Sequence, residues 1–210
     1  LELAAIYTAM DTMRPVEMNR SKLQRRGHRN YMEMAERERQ SCLSFVNRAR
    51  YAALLGDPGS GKSTFVKHLA YTLAQANLRS DPTEVLATLD PWNHGVLLPV
   101  RVELRQVAAF AAAHTRTQGE AKVLFDYLKS QLEGYDAADF WQPLRKLIRG
   151  KTERVLFLLD GLDEVATSQR QQIVDMVNDL CERHKAQRYL ITCRPYAYVG
   201  QPWKLVDFRQ

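Results

Sequence analysis

The sequence predicts an α/β protein built on a parallel sheet, and three observations carry that expectation. From Tyr51 onward, short apolar runs alternate with amphipathic helical stretches. The runs are apolar throughout instead of alternating with polar residues, as strands covered by helices on both faces should be. A length of 210 residues, 45% of them apolar, suffices for one large core and excludes a disordered chain.

Five runs are assigned as strands: Tyr51–Leu55, 97–104, 155–159, 189–192 and 205–208. The first leads into a helix whose Phe65, Leu69 and Leu73 share a buried face. A second helix, near 121–132, buries Leu124, Tyr127, Leu128 and Leu132 by the same spacing. The clearest helix lies within 169–184, where Ile173, Met176, Val177, Leu180 and Cys181 form one stripe. Cys181 on that stripe reads as core. Ahead of Tyr51 the periodicity is weak, apart from a helix expected over about 31–47. The chain therefore divides into a lead-in, 1–50, and a core, 51–210, without repeats or low-complexity tracts.

The formal charge of +6 is local. Between Arg20 and Arg50 stand nine Lys or Arg against Glu33, Glu36 and Glu38, and the remainder is balanced. Such an arm can bind nucleic acid or anionic lipid. The mixture of those acids with Arg37 and Arg39 equally describes a solvated helix face. Only Tyr31 and Phe45 interleave with the bases, so no base-stacking platform is indicated. The three cysteines, Cys42, Cys181 and Cys193, lack metal-ligand spacing, which points to a reducing, cytoplasmic setting. No apolar stretch is long enough for a membrane span and no leader pattern is present. Residue 1 is Leu, so a piece of a longer protein is expected. His68 and His94 have no partner at metal-ligand spacing and read as structural. The N-terminal methionines read as a packing surface.

The chemistry concentrates in three places. Gly56-Asp57-Pro58-Gly59-Ser60-Gly61-Lys62-Ser63 matches G-x-x-x-x-G-K-[ST] in full, followed by Thr64. Its glycines let backbone N–H groups converge on phosphate oxygens, and the following helix adds the positive end of its dipole. Lys62 would reach the outer phosphates and the Ser63 hydroxyl would ligate Mg²⁺. Next, 155–159 runs straight into Asp160, an acid whose burial is costly unless it faces a cation or water. Asp160 is thus the expected second metal anchor. Asp163 and Glu164 follow within a turn, and either could orient the attacking water; Asp163 could equally cap a helix and Glu164 be an ordinary first-turn acid. Finally, 189–192 leads through Cys193 to Arg194-Pro195. Ligands of parallel sheets gather at the carboxyl ends of strands, so Thr192 and Arg194 are expected to face the phosphates.

With those motifs in order, the chain resembles the NACHT domain of the STAND class of P-loop NTPases. The resemblance rests on the loop GDPGSGKST and on Leu98-Pro99-Val100-Arg101-Val102-Glu103-Leu104, similar to the family's second strand. It rests also on Leu158-Leu159-Asp160-Gly161-Leu162-Asp163-Glu164, similar to its Walker B, and on Ile191-Thr192-Cys193-Arg194-Pro195, similar to its sensor strand. A softer match, around Ala5-Ile6-Tyr7-Thr8, resembles the lead-in of prokaryotic members and makes Tyr7 a candidate base contact. The resemblance implies a five-stranded parallel sheet in the order 5-1-4-3-2, with helices on both faces and a helical lead-in. It implies Mg²⁺ and ATP or GTP, with slow hydrolysis. The switch would govern homo-oligomerisation of a larger signalling or defence protein whose effector and sensor domains lie elsewhere. Arg194 would be the family's sensor Arg. Two other readings stay open: a small-molecule kinase on the same sheet, and a nucleic-acid-stimulated ATPase using the Arg20 to Arg50 arm. Arg101, Arg105 and Arg116 do not form the clustered lid a kinase would need.

Overall fold

The structure is a computed structural model that describes residues 11–14, 38–114 and 119–210. Two short strands, β1 (Asp11–Arg14) and β2 (Glu38–Ser41), pair antiparallel, Asp11 opposite Ser41. Helix α1 (Cys42–Arg48) follows at once, and the Ser41 hydroxyl caps it by accepting from the Ser44 N–H at 3.2 Å. The helix expected over 31–47 therefore begins only at Cys42. Residues 38–41 spend their backbone groups on β1, and 31–37 lie outside the described residues.

The main sheet follows: β3 (Tyr51–Leu55), β4 (Leu98–Glu103), β5 (Val155–Asp160) and β6 (Arg188–Cys193), all parallel, in the order β3-β6-β5-β4. Each coincides with an expected run to within a residue or two. Between them run α2 (Lys62–Asn77), α3 (Thr83–Ala87), α4 (Leu104–His114), α5 (Ala121–Gly134), α6 (Trp141–Arg149) and α7 (Thr167–Arg183), with the short α8 (Pro195–Tyr198) after β6.

The pleat divides the core in two. On one face Val155, Phe157 and Leu159 of β5, with Tyr189 and Ile191 of β6, pack against Leu124 of α5 and Val177 and Leu180 of α7. On the other, Leu156, Leu158 and Leu190 pack against Phe45 and Val46 of α1 and Phe65, Leu69 and Leu73 of α2. Both faces are dry, which is why the central strands show no polar alternation.

The fifth strand is a correction. Instead of a strand at 205–208, the chain makes one parallel bridge, Ala52 with Arg209, where the Ala53 N–H donates to the Arg209 carbonyl at 2.7 Å. Two features stop it from extending. Asp207 adopts φ 64°, which breaks an extended run. Asn178 of α7 holds the segment from the side, accepting from the Val206 N–H at 3.0 Å and donating to the Lys204 carbonyl at 2.9 Å. The sheet has four strands, and the bridge sits at the edge of β3 where a fifth was expected.

Two buried polar side chains tie the layers together. Arg188, 4% exposed, sends Nη2 to the carbonyls of Val46, Asn47 and Ala49 at 2.8 to 3.0 Å, closing the C-terminal end of α1. Burial lowers its pKa, against the opposing pull of Glu153. Gln187, wholly buried, accepts from the Arg154 and Val155 N–H groups, both at 2.9 Å. Its amide nitrogen serves the carbonyls of Leu147, Ile148, Gly150 and Thr152 at 3.1 to 3.3 Å. Among the described residues no helix is long and apolar enough to cross a membrane.

Candidate functional site

The sheet brings the motif-bearing loops to one edge, at the carboxyl ends of β3, β5 and β6. The segment from Gly56 to Gly61 links β3 to α2, and its first N–H is held by the Cys193 carbonyl of β6 at 3.2 Å. Gly61 takes φ 88° and caps α2, its carbonyl accepting from the Phe65 N–H at 2.8 Å. A left-handed backbone at this position favours glycine. Lys62 folds over the loop, donating to the carbonyls of Gly56 at 2.5 Å and Asp57 at 2.9 Å, and to Ser60 Oγ at 3.3 Å. Asp57, Pro58, Gly59 and Ser60 are exposed, as is Thr64 on the first turn of α2.

Ser63 Oγ donates to Asp160 Oδ1 at 3.2 Å, across 97 residues of sequence. Asp160 is 7% exposed, and three side-chain donors meet its carboxylate. Thr192 Oγ1 donates to the same oxygen at 2.7 Å, and Arg101 Nη2 reaches Oδ2 at 3.2 Å. Thr192 also accepts from the Gly161 N–H at 2.8 Å. Thr192 is buried, and it holds Asp160 through the same carboxylate oxygen that Ser63 meets. Gly161 sits at φ 78°, and a Cβ there would stand 3.1 Å from Glu164 Cδ, so the turn after β5 requires glycine.

Asp163 and Arg194 meet one another. Arg194 Nε lies 2.8 Å from Asp163 Oδ2, and the Arg194 N–H donates to Oδ1 at 3.2 Å. Asp163 thus holds Arg194, the residue that precedes α8, through both its backbone N–H and its side-chain Nε. Arg170 of α7 braces this turn through the carbonyls of Asp163 at 3.3 Å and Val165 at 2.9 Å. Glu164 is half-exposed and lies 3.6 Å from Arg105 Nε. Between the loop and Arg194, burial pushes the Cys193 thiol up to about 12, with Asp163 adding to the rise, so it stays protonated and unreactive. His94 Nδ1 stands 2.8 Å from Glu153 Oε1, and its Nε2 stands 2.7 Å from the Asn47 carbonyl. Tyr7 and most of the basic arm lie outside the described residues.

For a divalent cation this edge offers hard oxygens only, the Ser63 hydroxyl and the Asp160 carboxylate, with Glu103 beyond Arg101. Such a set suits Mg²⁺ held by one or two side chains and completed by phosphate and water. Among the described residues no cluster of three or more His, Cys, Asp or Glu could form an all-protein metal cage.

Sequence reasoning missed Arg101, Thr192 as a brace, and Gln187. The signal for Arg101 was available: a cation within the apolar run of β4 is as anomalous as Asp160 at the end of β5.

The fold and site define an α/β protein whose parallel sheet carries, at the carboxyl ends of its strands, a glycine-rich loop and a buried carboxylate met by three donors. The model of the nephrocystin 3 N-terminal family matches residues 34–194, and the chain belongs to that family. The match spans every site residue considered above except Tyr7. No curated protein matches the chain.

Proposed function

We propose that the chain is a regulatory nucleoside triphosphatase module of NACHT type. It would bind Mg²⁺ with ATP or GTP and turn over slowly, as the nucleotide-dependent oligomerisation switch of a larger signalling or defence protein. One observation carries the reading: the Ser63 hydroxyl of the glycine-rich loop rests on Asp160, the acid at the end of an otherwise apolar strand. A loop hydroxyl and a strand-end carboxylate meeting at the edge of a parallel sheet is the arrangement Mg²⁺-nucleotide chemistry uses. Membership of the nephrocystin 3 N-terminal family, which is related to NACHT-containing proteins, is consistent with it.

In this reading the backbone N–H groups from Gly59 to Ser63 cradle the phosphates, and Lys62 exchanges its carbonyl partners for phosphate oxygens. Ser63 and Asp160 would hold the metal, which supplies charge neutralisation when bound. Asp163 has both oxygens engaged by Arg194, so Glu164 is assigned the orientation of water. Arg194, fixed by Asp163, would sense the nucleotide through the turn they share.

Calorimetric titration of Mg²⁺-ATP and Mg²⁺-GTP into wild type and Lys62→Ala tests this. Binding by the wild type, abolished in the variant while its circular dichroism is unchanged, is expected. Equal affinity in the two would overturn the proposal.

A further inference from the structure

Arg101 lies on β4 beside the carboxylate that anchors the proposed site. In the parallel register Glu103 of β4 stands opposite Asp160 of β5. One nitrogen of Arg101, Nη2, lies between them, 3.0 Å from Glu103 Oε1 and 3.2 Å from Asp160 Oδ2. Arg105 then lies 3.6 Å from Glu103 Oε2 and 3.6 Å from Glu164 Oε2. The result is an alternating row, Asp160, Arg101, Glu103, Arg105, Glu164, along the rim of the site. Arg101 Nε is buried with no hydrogen-bond partner among the described residues. Its guanidinium thus meets both carboxylates through Nη2 while Nε goes unsatisfied, at a cost in free energy.

We propose that Arg101 is an internal counter-ion that competes with a divalent cation for Asp160, so that it sets the metal affinity of the site. Nη2 marks where positive charge is stabilised between two carboxylates. A divalent cation bound by the same oxygens would need about 2.0 to 2.6 Å and could not share the position with a guanidinium. Binding a metal therefore requires Arg101 to withdraw. Withdrawal frees its donors for an incoming phosphate and leaves Glu103 to Arg105. The resident cation offsets one of the two charges of the Asp160–Glu103 pair and makes metal binding alone weak. The nucleotide and its metal then arrive together. The identity of the metal's companion rests on the nucleotide reading above; the competition at Asp160 does not.

The test is Mn²⁺ binding without nucleotide, read by electron paramagnetic resonance, for wild type, Arg101→Gln, Arg101→Lys and Arg101→Gln with Glu103→Gln. Arg101→Gln should bind Mn²⁺ about tenfold more tightly than wild type, because two facing carboxylates lose their resident cation. Arg101→Lys should show no gain, and adding Glu103→Gln should cancel it. A merely structural arginine would lower metal affinity, or leave it alone, when removed. Equal or weaker Mn²⁺ binding by Arg101→Gln overturns the proposal. Should Arg101→Gln not fold, tighter binding by Arg101→Lys than by wild type overturns it equally. Separate titration with Mg²⁺-ATP keeps the two readings apart. A gain in Mn²⁺ affinity in a chain that binds no nucleotide would retain the counter-ion and remove the nucleotide site.

Discussion

The Thr192 hydroxyl donates to Asp160 at 2.7 Å and accepts from the Gly161 N–H at 2.8 Å, so one buried side chain fixes both the carboxylate and the turn that follows it. Hydrogen bonds to an ionised acceptor are stronger than neutral ones, and outer partners of this kind orient a metal-holding carboxylate. Thr192→Val should cost about 1 to 3 kcal/mol in urea unfolding. It should also weaken Mg²⁺-dependent nucleotide binding about tenfold. Thr192→Ser, which keeps the hydroxyl, should recover most of both. Loss of stability with unchanged Mg²⁺ dependence would show that Thr192 supports the fold alone.

Asp163 and Arg194 should behave as a coupled pair. Asp163→Ala and Arg194→Ala each break the same contact, so their effects on unfolding free energy should be non-additive by about 1 kcal/mol in a double-mutant cycle. Arg194 is partly exposed and screened, which keeps the figure modest. A coupling of zero would mean that Asp163 acts through the Arg194 N–H alone.

Gln187 should be among the costliest single positions in the chain. Its wholly buried amide serves two N–H groups and four carbonyls. Gln187→Leu should destabilise by about 2 to 4 kcal/mol in chemical denaturation. Gln187→Glu should do at least as much damage, since a carboxylate would face the carbonyls that the amide N–H groups now serve. A near-neutral Gln187→Leu would show that α6 and the start of β5 repack freely.

Stability should fall on mild acidification. Burial lowers the pKa of His68, and burial with the charges of Arg149 and Arg183 lowers that of His184, against Asp179. Both depart from an ordinary value of 6.5, so between that value and the lowered ones the unfolded chain binds more protons. The histidine contribution is therefore present in full above pH 6.5, lost as pH falls through the window below it, and constant once both forms are protonated. Thermal melts from pH 7.5 downward check the slope, and His184→Gln should flatten it. A melting temperature rising over that interval would contradict the assignment.

Much of this molecule was legible in its residues. The four strands followed from apolar runs too short for helices, and the helix faces from a 3.6-residue rhythm. Ser63 and Asp160, expected from the sequence to share one cation, meet in the structure. What failed depended on contacts between distant segments. An apolar run at 205–208 looked like a strand, but Asn178, some thirty residues earlier on α7, holds its backbone aside. Thr192 and Arg194 lay at the right end of β6. Yet which way they turned was decided by Asp160 and Asp163, both on another strand's exit.

The sequence by itself determined the class of fold, the order of the core elements and the places of the glycine-rich loop and of Asp160 along them. Periodicity, turn chemistry and the cost of a buried charge are local properties that a chain displays before it folds. Tertiary structure alone decided the number of strands, the pairing of Asp163 with Arg194 and the placement of Arg101 between Asp160 and Glu103. Those depend on strand register and side-chain direction, through which residues far apart in sequence compete for the same few hydrogen-bonding atoms.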